Sequence, residues 1–572
     1  MRFLELVEGF ERLDATTKRL EMFDILAEIF EQAKAEEIKE IIYLIQGRLL
    51  PAFKGLEIGM SEKLLARAIS NSSGVGVTDV WFDYKASGDM GKTAENLSHS
   101  EGEGRGVVEV YTAVMEVART SGEGSVERKI NLLGDLLSSV SPQEGKYIAR
   151  FVIGRLRLGV GDPTVLEGLC IAKVDRGFRE ELERAYNLCS DLGYVAKTLF
   201  EEGQEGIRAI HVTVGYPIRM ALCERLPSSE EIIKKIGKCA IEGKYDGLRC
   251  QVHKNDSEIE IFSRNLERMT HMFPEIVEAA KNIKARSAIF EGEALAYNEV
   301  TGELLPFQVT VQRKRKHGIE EAAKEHPLKL FAFDLLYLDG MDYTEKPYIE
   351  RRKKLDDIIS DEVIVLSDFI ITDDYKKVRE YFEEELEKGL EGIIAKRLDA
   401  PYSAGARNFD WIKLKRSYRG ELSDTIDVCI VGYFMGRGLR AKFGIGAVLG
   451  AVYEPEEDAF KTVSKVGSGF TEEGWVSLRE TLDEIAIEHK PARVDSLLEP
   501  DVWVEPRYVI TVTADEITRS PMHTAGKTDT ESGYALRFPR AQGFIRDDKA
   551  AEDSNTVSEL VEMYGMQKQV NV

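Results

Sequence analysis

Near residue 215 the spacing of apolar residues changes, and no single layer of secondary structure accommodates both sides of that change. Before it, apolar residues recur at helical intervals, as in Leu20, Phe23, Ile25, Leu26, Ile29 and Phe30, and strand-like alternation is scarce. Ser141-Pro142-Gln143-Glu144 reads as a helix start, with an N-cap serine, proline at the first helical position and glutamate placed for a capping box. From Gly215-Tyr216-Pro217-Ile218 onward, short alternating segments bounded by turn residues take over. Segments 250–253 and 258–261 flank a turn as a hairpin, and 288–293, 330–336 and 392–396 read as further strands with helical stretches between them. After 415–420 a second shift leaves Gly-punctuated strands at 427–433, 444–453 and 503–512. The expected fold is multidomain. Residues 1–214 form an all-α domain, 215–420 an α+β domain with antiparallel sheets, and 421–572 a small β-barrel of the OB type with a polar C-terminal helix.

The chain's 572 residues exceed what one hydrophobic core supports. Its 43% hydrophobic and 31% charged content describes an ordinary globular protein. No apolar run approaches the roughly 20 residues that span a bilayer, and Met-Arg-Phe-Leu-Glu-Leu-Val-Glu at the start is too acidic for a signal peptide. A cytoplasmic location is therefore expected. The six cysteines contain no Cys-x-x-Cys pair, which argues against a zinc site or a disulfide framework. A net charge of −23 opposes a nucleic-acid partner unless the cations are gathered locally. Basic clusters do occur at Arg313-Lys314-Arg315-Lys316, Lys413-Leu414-Lys415-Arg416 and 437–442, each reading on its own as a solvated face.

Chemistry concentrates around Lys244-Tyr245-Asp246-Gly247. On a strand, Glu242, Lys244 and Asp246 share one side, Gly247 admits a close approach of backbone or ligand, and Arg249 adds a second cation. Lysine attacks phosphorus or carbonyl only as the neutral amine, and its free pKa of about 10.4 makes cationic neighbours or desolvation necessary. Lys413 and Lys415, on one side of a strand, are placed to supply that field and to stabilise a transferring phosphoryl group. Glu293 and Glu391 each adjoin a glycine at the end of an apolar strand, which suits a magnesium ion held by one or two carboxylates plus phosphate oxygens. Phe333 is either a base-stacking ring or core. In the helical part, Arg155, Arg157, Gly159 and Gly161 put cations beside exposed backbone, as a phosphate-backbone contact needs, and a Gly-rich helix exit reads the same way.

Seven motifs then stand in order: Lys244-Tyr245-Asp246-Gly247-Leu248-Arg249, Ser263-Arg264-Asn265, Glu291-Gly292-Glu293, Phe331-Ala332-Phe333-Asp334, Glu391 through Lys396, Trp411-Ile412-Lys413-Leu414-Lys415 and Arg537-Phe538-Pro539-Arg540. Together they resemble the nucleotidyltransferase motifs of ATP-dependent DNA ligases, most closely the archaeal and eukaryotic replicative type. The likeness extends to 131–166 and to Ala514 through Thr524, and so covers nearly the whole chain.

The resemblance implies an enzyme that seals nicks in duplex DNA. Lys244 would carry AMP from ATP, pass it to the 5′-phosphate, and the 3′-hydroxyl would displace it. By motif position Glu242 would read the adenine edge and Phe333 stack on its face. Arg249, Arg264, Glu293 and Arg407 would hold ribose and phosphate, and Lys413 and Lys415 would contact the α-phosphate. Arg537, Arg540 and Lys549 would belong to a mobile last domain that orients the pyrophosphate, although 541–545 before Lys549 departs from the family's pattern. Glu291 stands where aspartate is common, which keeps the charge. Mg2+, or Mn2+ in its place, nicked DNA, a sliding clamp and a monomeric state are the implied cofactors and partners. An mRNA-capping guanylyltransferase shares the lysine motif but not the helical residues 1–214. An NAD-dependent ligase would bring zinc-binding cysteines. A non-enzymatic DNA-binding scaffold would not need the chemical residue that every motif retains.

Overall fold

A computed structural model describes residues 1–298, 304–305, 307–313, 318–415, 425–436, 443–528 and 530–570. The expected helical start is a packed set of twelve α-helices, from α1 (Phe3–Ala15) to α12 (Leu192–Arg208), around a continuous apolar core that runs from Phe3 to Ile210. The Ser141 hydroxyl caps its helix (Pro142–Val152) by accepting from the Glu144 N–H, and Glu144 returns a bond to the Ser141 N–H. On the helix Arg19–Gln32 the buried stripe is Met22, Ile25, Leu26, Ile29 and Phe30; Leu20, read as part of it, is 69% exposed. Leu20 and Met22, two residues apart, lie on nearly opposite faces of the helix, and Met22 is the one that faces the core.

Two sheets build the middle of the chain. The strands are β1 (Leu222–Arg225), β2 (Cys239–Lys244), β3 (Leu248–Asn255), β4 (Glu258–Ser263), β5 (Ser287–Ala296), β6 (Leu328–Leu338), β7 (Met341–Asp342), β8 (Ile364–Leu366), β9 (Phe369–Thr372), β10 (Gly392–Arg397) and β11 (Arg407–Lys415). One sheet has the order β1-β11-β10-β2-β9, the other β4-β3-β5-β6-β7 with β8 against β6. The β3–β4 hairpin turns at Asp256 and Ser257, with Asn255 paired to Glu258. Pairing is antiparallel, as expected, with two parallel pairs, β1 with β11 and β8 with β6, at the sheet margins. The chain crosses between the sheets twice close together, from β2 to β3 and from β8 to β9, and the space between those crossovers becomes the cleft.

The last part is strand-rich. Its main sheet runs from Ala486–Ile487 through Val502–Val504, Ile426–Phe434, Ala447–Glu454 and Ala459–Val466, with Val509–Thr513 and Arg540–Arg546 adding to it. Glu505 and Pro506 break the expected 503–512 strand in two. Leu560 and Met563 seat the C-terminal helix (Val557–Val570) on this core. Of the basic clusters, Arg313 is buried and paired with Glu275 at 2.6 Å, not solvated; residues 314–317, 416–424 and 437–442 lie outside the described residues. No helix among the described residues is long and apolar enough to cross a membrane.

Candidate active site

Strand register gathers the chemical side chains. Across β2, β10 and β11, one row is Lys244, Gly392 and Lys415, and the next is Glu242, Ile394 and Lys413. Residues in a row point the same way and alternate residues share a face, so Lys244, Glu242, Lys413 and Lys415 all look into one cleft. The facing sheet contributes Arg249 opposite Glu293 on β3 and β5. Two glycines keep the walls close. A Cβ at Gly247 would lie 2.4 Å from the Ala294 carbonyl oxygen, and one at Gly392, whose φ is 154°, 2.1 Å from that of Leu414. A side chain at either position would push the strands apart.

The resulting cleft of about 330 Å³ is lined by Glu242, Lys244, Arg249, Arg264, Glu293, Phe333, Glu391, Arg407, Lys413, Lys415 and Lys549. Asp427, Thr511, Arg546 and Asp548 of the last domain also line it, so two domains share the wall.

At the inner end, Glu242 is 2% exposed. One oxygen accepts from the Tyr348 hydroxyl, and the other lies 2.9 Å from Lys396 Nζ, itself 1% exposed. The Phe333 ring stands edge-on to Trp411, with Lys396 Nζ 4.6 Å and Arg249 Cζ 5.5 Å from its centre. Arg249 is held by Glu291 at 2.8 Å, which also accepts from the Tyr402 hydroxyl.

The reactive amine sits at the middle. Lys244 Nζ donates to one oxygen of Glu391, and Lys415 pairs with the other. The nearest partner of Lys244 is thus a carboxylate rather than the purely cationic setting expected, because Glu391 lies between the two lysines. Burial would push the Glu391 carboxyl up, but the two ammonium groups hold it well below the usual carboxylate range. Glu293 behaves in the opposite way. Its burial outweighs the pull of Lys244 and Arg249, and its carboxyl is pushed up to about 7.

At the outer end the cations are covered by the last domain. Glu559, on the C-terminal helix and 1% exposed, accepts from Arg407 at 3.0 Å and Lys413 at 2.5 Å. Burial opposes ionisation of Glu559, yet Lys413 and Arg407 hold its carboxyl well below the ordinary range. Arg264 pairs with Asp553 at 2.6 Å, and Lys549 donates to Asp427. The polar helix that offered no chemistry in the sequence therefore supplies a carboxylate to the cleft. Arg546, held by Asp548 through two bonds of 2.7 Å, joins it as well. Its signal was the charged run Arg546-Asp547-Asp548-Lys549 directly after a strand. Lys396 closes the motif Glu391 through Lys396 but was given no role of its own, and Glu559 and Tyr348 had no local signal.

Other predicted residues lie elsewhere. Arg537 is exposed on the two-stranded pair Glu516–Ser520 and Gly533–Arg537, bonded to Thr518 at 3.0 Å, and Arg540 pairs with Asp515 at 3.1 Å. Neither Arg537 nor Arg540 lines the cleft in this arrangement of the domains. Arg155 meets Glu62 at 2.5 Å and Glu484 of the last domain at 3.8 Å, while Arg157, at φ 61°, lies 3.4 Å from Asp89. Gly161 abuts the Arg493 guanidinium, and Gly159 packs near Met22. Among the described residues no group of three or more His, Cys, Asp or Glu side chains is arranged to hold a metal ion by itself.

Sequence profiles of known families cover most of the chain. The profile described as "DNA ligase N terminus" matches residues 2–170, "ATP dependent DNA ligase domain" matches 220–415, and "ATP dependent DNA ligase C terminal region" matches 441–549. A "Probable DNA ligase" of Dictyoglomus turgidum is 55% identical over 575 residues, spanning 100% of this chain and 99% of its own length. "DNA ligase 2" of Thermofilum pendens is 44% identical over 98% of this chain and 97% of its own. A "DNA ligase" of Pyrobaculum islandicum is 43% identical, with 100% and 99% covered.

Proposed function

The chain belongs to the ATP-dependent DNA ligase family, and on that premise we propose how its own residues seal a nick in duplex DNA. Lys244 Nζ, after losing a proton to solvent, attacks the α-phosphorus of ATP. A P–N bond forms, the bond to the β-phosphate oxygen breaks, and pyrophosphate leaves. An oxygen of the 5′-phosphate at the nick then attacks that phosphorus, the P–N bond breaks, and the lysine nitrogen regains a proton. Finally the 3′-hydroxyl attacks the 5′-phosphorus, expels AMP and gives its proton to solvent.

The observation that carries this reading is the pair of adjacent rows on one sheet face, Lys244 with Lys415 and Glu242 with Lys413. They align a nucleophile, two cations for the charge on the transferring phosphoryl group and a carboxylate for the base in one cleft. Phe333 offers the base a ring at the same inner end as Glu242. Arg249, Arg264 and Arg407 bind ribose and phosphates, and Lys549, with Arg537 after the last domain moves, handles the pyrophosphate. Arg155, Arg157, Gly159 and Gly161 contact the DNA backbone, where binding rests on phosphates and duplex shape rather than base identity.

Glu293 fits a divalent cation: its carboxyl is held up to about 7 by burial and faces the cleft, so an added positive charge would relieve it. Glu391 fits only if Lys244 and Lys415 give up its oxygens. Magnesium, or manganese, bound there would neutralise charge on phosphate oxygens. We divide the chain at residues 214 and 420 and read the last part as an OB-type barrel that closes on the duplex opposite the helical domain.

The test is to incubate the protein with α-labelled ATP, GTP or NAD and magnesium, denature it, and count label on the chain. Label from ATP alone, absent from Lys244→Ala, is expected. Equal labelling of Lys244→Ala would overturn the assignment.

A further inference from the structure

Ser367 is 1% exposed, and its hydroxyl makes no hydrogen bond. It lies on the crossover between the two sheets. The preceding residue, Leu366, pairs with Ala332 on β6, and two residues later Phe369 pairs with Glu242 on β2. The backbone of Ser367 is fully committed. Its N–H donates to the Ala332 carbonyl at 2.9 Å, and its carbonyl accepts from Arg352 Nη2 at 2.7 Å. These bonds fix the residue between the strand that carries Glu242 and the strand that carries Phe333, on the wall of the same cleft. The side chain alone is left over.

A buried hydroxyl without a partner is destabilising, and alanine would fill the position without that cost. Its neighbours cannot serve it: Glu242 is engaged by Tyr348 and Lys396, and Lys396 Nζ is directed at Glu242 and, at 3.4 Å, at the Phe333 carbonyl. The unpaired Ser367 hydroxyl and the Glu242 carboxylate, whose oxygens have lone pairs beyond those that Tyr348 and Lys396 use, are complementary. The Glu242 carboxylate can only accept and so suits an exocyclic amine, whereas a hydroxyl can donate to a ring nitrogen. We propose that Ser367 is a specificity-determining residue whose Oγ–H donates to a ring nitrogen of the purine while Glu242 takes its amine. This rests on the reading of the cleft as the nucleotide site. It makes selection of adenine a two-point measurement, in which a base that satisfies one group and not the other leaves a buried polar group unpaired.

The experiment compares nucleotidylation of wild type and Ser367→Ala by ATP and by its 1-deaza, 3-deaza and 7-deaza analogues, each lacking one ring nitrogen. Wild type is expected to use one of the three analogues about tenfold less well than ATP in kcat/KM, the loss of one hydrogen bond. Ser367→Ala should lose about tenfold with ATP and with the other two analogues, yet equal wild type on that one. Its thermal midpoint without nucleotide should be unchanged or higher, since an unpaired buried hydroxyl has been removed; a purely structural serine would lower both. A uniform loss across all four nucleotides, no loss with ATP, or no ring nitrogen mattering to wild type would overturn the proposal. Absence of any label from ATP on wild type would instead sink the nucleotide-site reading beneath it.

Discussion

The two ends of the cleft are neutralised in different ways. At the inner end, Glu242, Lys396 and Tyr348 come from one central sheet, on the neighbouring strands β2 and β10, and the helix Tyr348–Ile358, all of one domain, and satisfy one another there. At the outer end, Arg407, Lys413 and Arg264 are satisfied by Glu559 and Asp553 of another domain. The first arrangement survives any domain motion. The second holds only while the last domain is docked, and a nucleotide phosphate that binds Lys413 or Arg407 must displace Glu559. On the proposed assignment of these residues, base recognition is prearranged, whereas phosphate binding is an exchange of one anion for another.

The largest effect that tests this contrast is at the inner end. Lys396→Met leaves the Glu242 carboxylate buried without its cation and should cost about 3–5 kcal/mol, read as a lowered urea midpoint of the central domain. A change below about 1 kcal/mol would mean that the pair does not hold the inner end. At the outer end, Glu559→Gln should do the reverse for function. With the anion gone, KM for ATP in lysine adenylation should fall about tenfold without DNA, and an unchanged KM would show that Glu559 does not compete with phosphate.

A subtler effect is set by pH. Glu562, one turn beyond Glu559, is pushed up to about 7 by burial and by Glu224 and Glu559, with Glu231 adding to the rise and Arg225 opposing it. A raised carboxyl pKa means that the docked helix binds an extra proton. Docking is thus fully favoured below the ordinary carboxyl range, weakens as pH rises toward about 7, and levels off above it. Amide exchange of 557–565, corrected for the base-catalysed rise common to all amides, should quicken from about pH 5 to about pH 7 in wild type and lose that dependence in Glu562→Gln. The smallest effect belongs to Asp553→Asn. The partner Arg264 is partly exposed, so the change should be within about 1 kcal/mol and within a few-fold in KM. A larger loss would make this pair, rather than Glu559, the main clasp.

Much of this was legible from residues close in sequence. The change of periodicity near 215 marks where helices give way to sheets, and period-two spacing in Trp411-Ile412-Lys413-Leu414-Lys415 puts both lysines on one face. Strand pairing then needed only the glycines at 247 and 392 to bring that face close to Lys244. What stayed hidden comes from elements with no pattern of their own. Tyr348 begins a helix made mostly of charged residues, Ser367 is one serine in a crossover, and Glu559 lies 146 positions from Lys413. Nothing local distinguishes Glu559 from the many acids on solvated faces. Leu20 failed for a related reason, since a helix so rich in apolar residues offers more than one face and the packing partner decides.

The acidity of the chain acquires a physical meaning from the pairs that Glu559 and Glu484 make. Arg407, Lys413 and Arg155 carry their counter-ions covalently, as carboxylates of the same polypeptide. When a DNA or nucleotide phosphate replaces such a carboxylate, the cation it binds releases no salt anion, and the freed carboxylate gathers a cation from solution. The salt dependence of nick binding should therefore be shallower than the number of contacting cations implies, because part of the ion atmosphere is built into the fold.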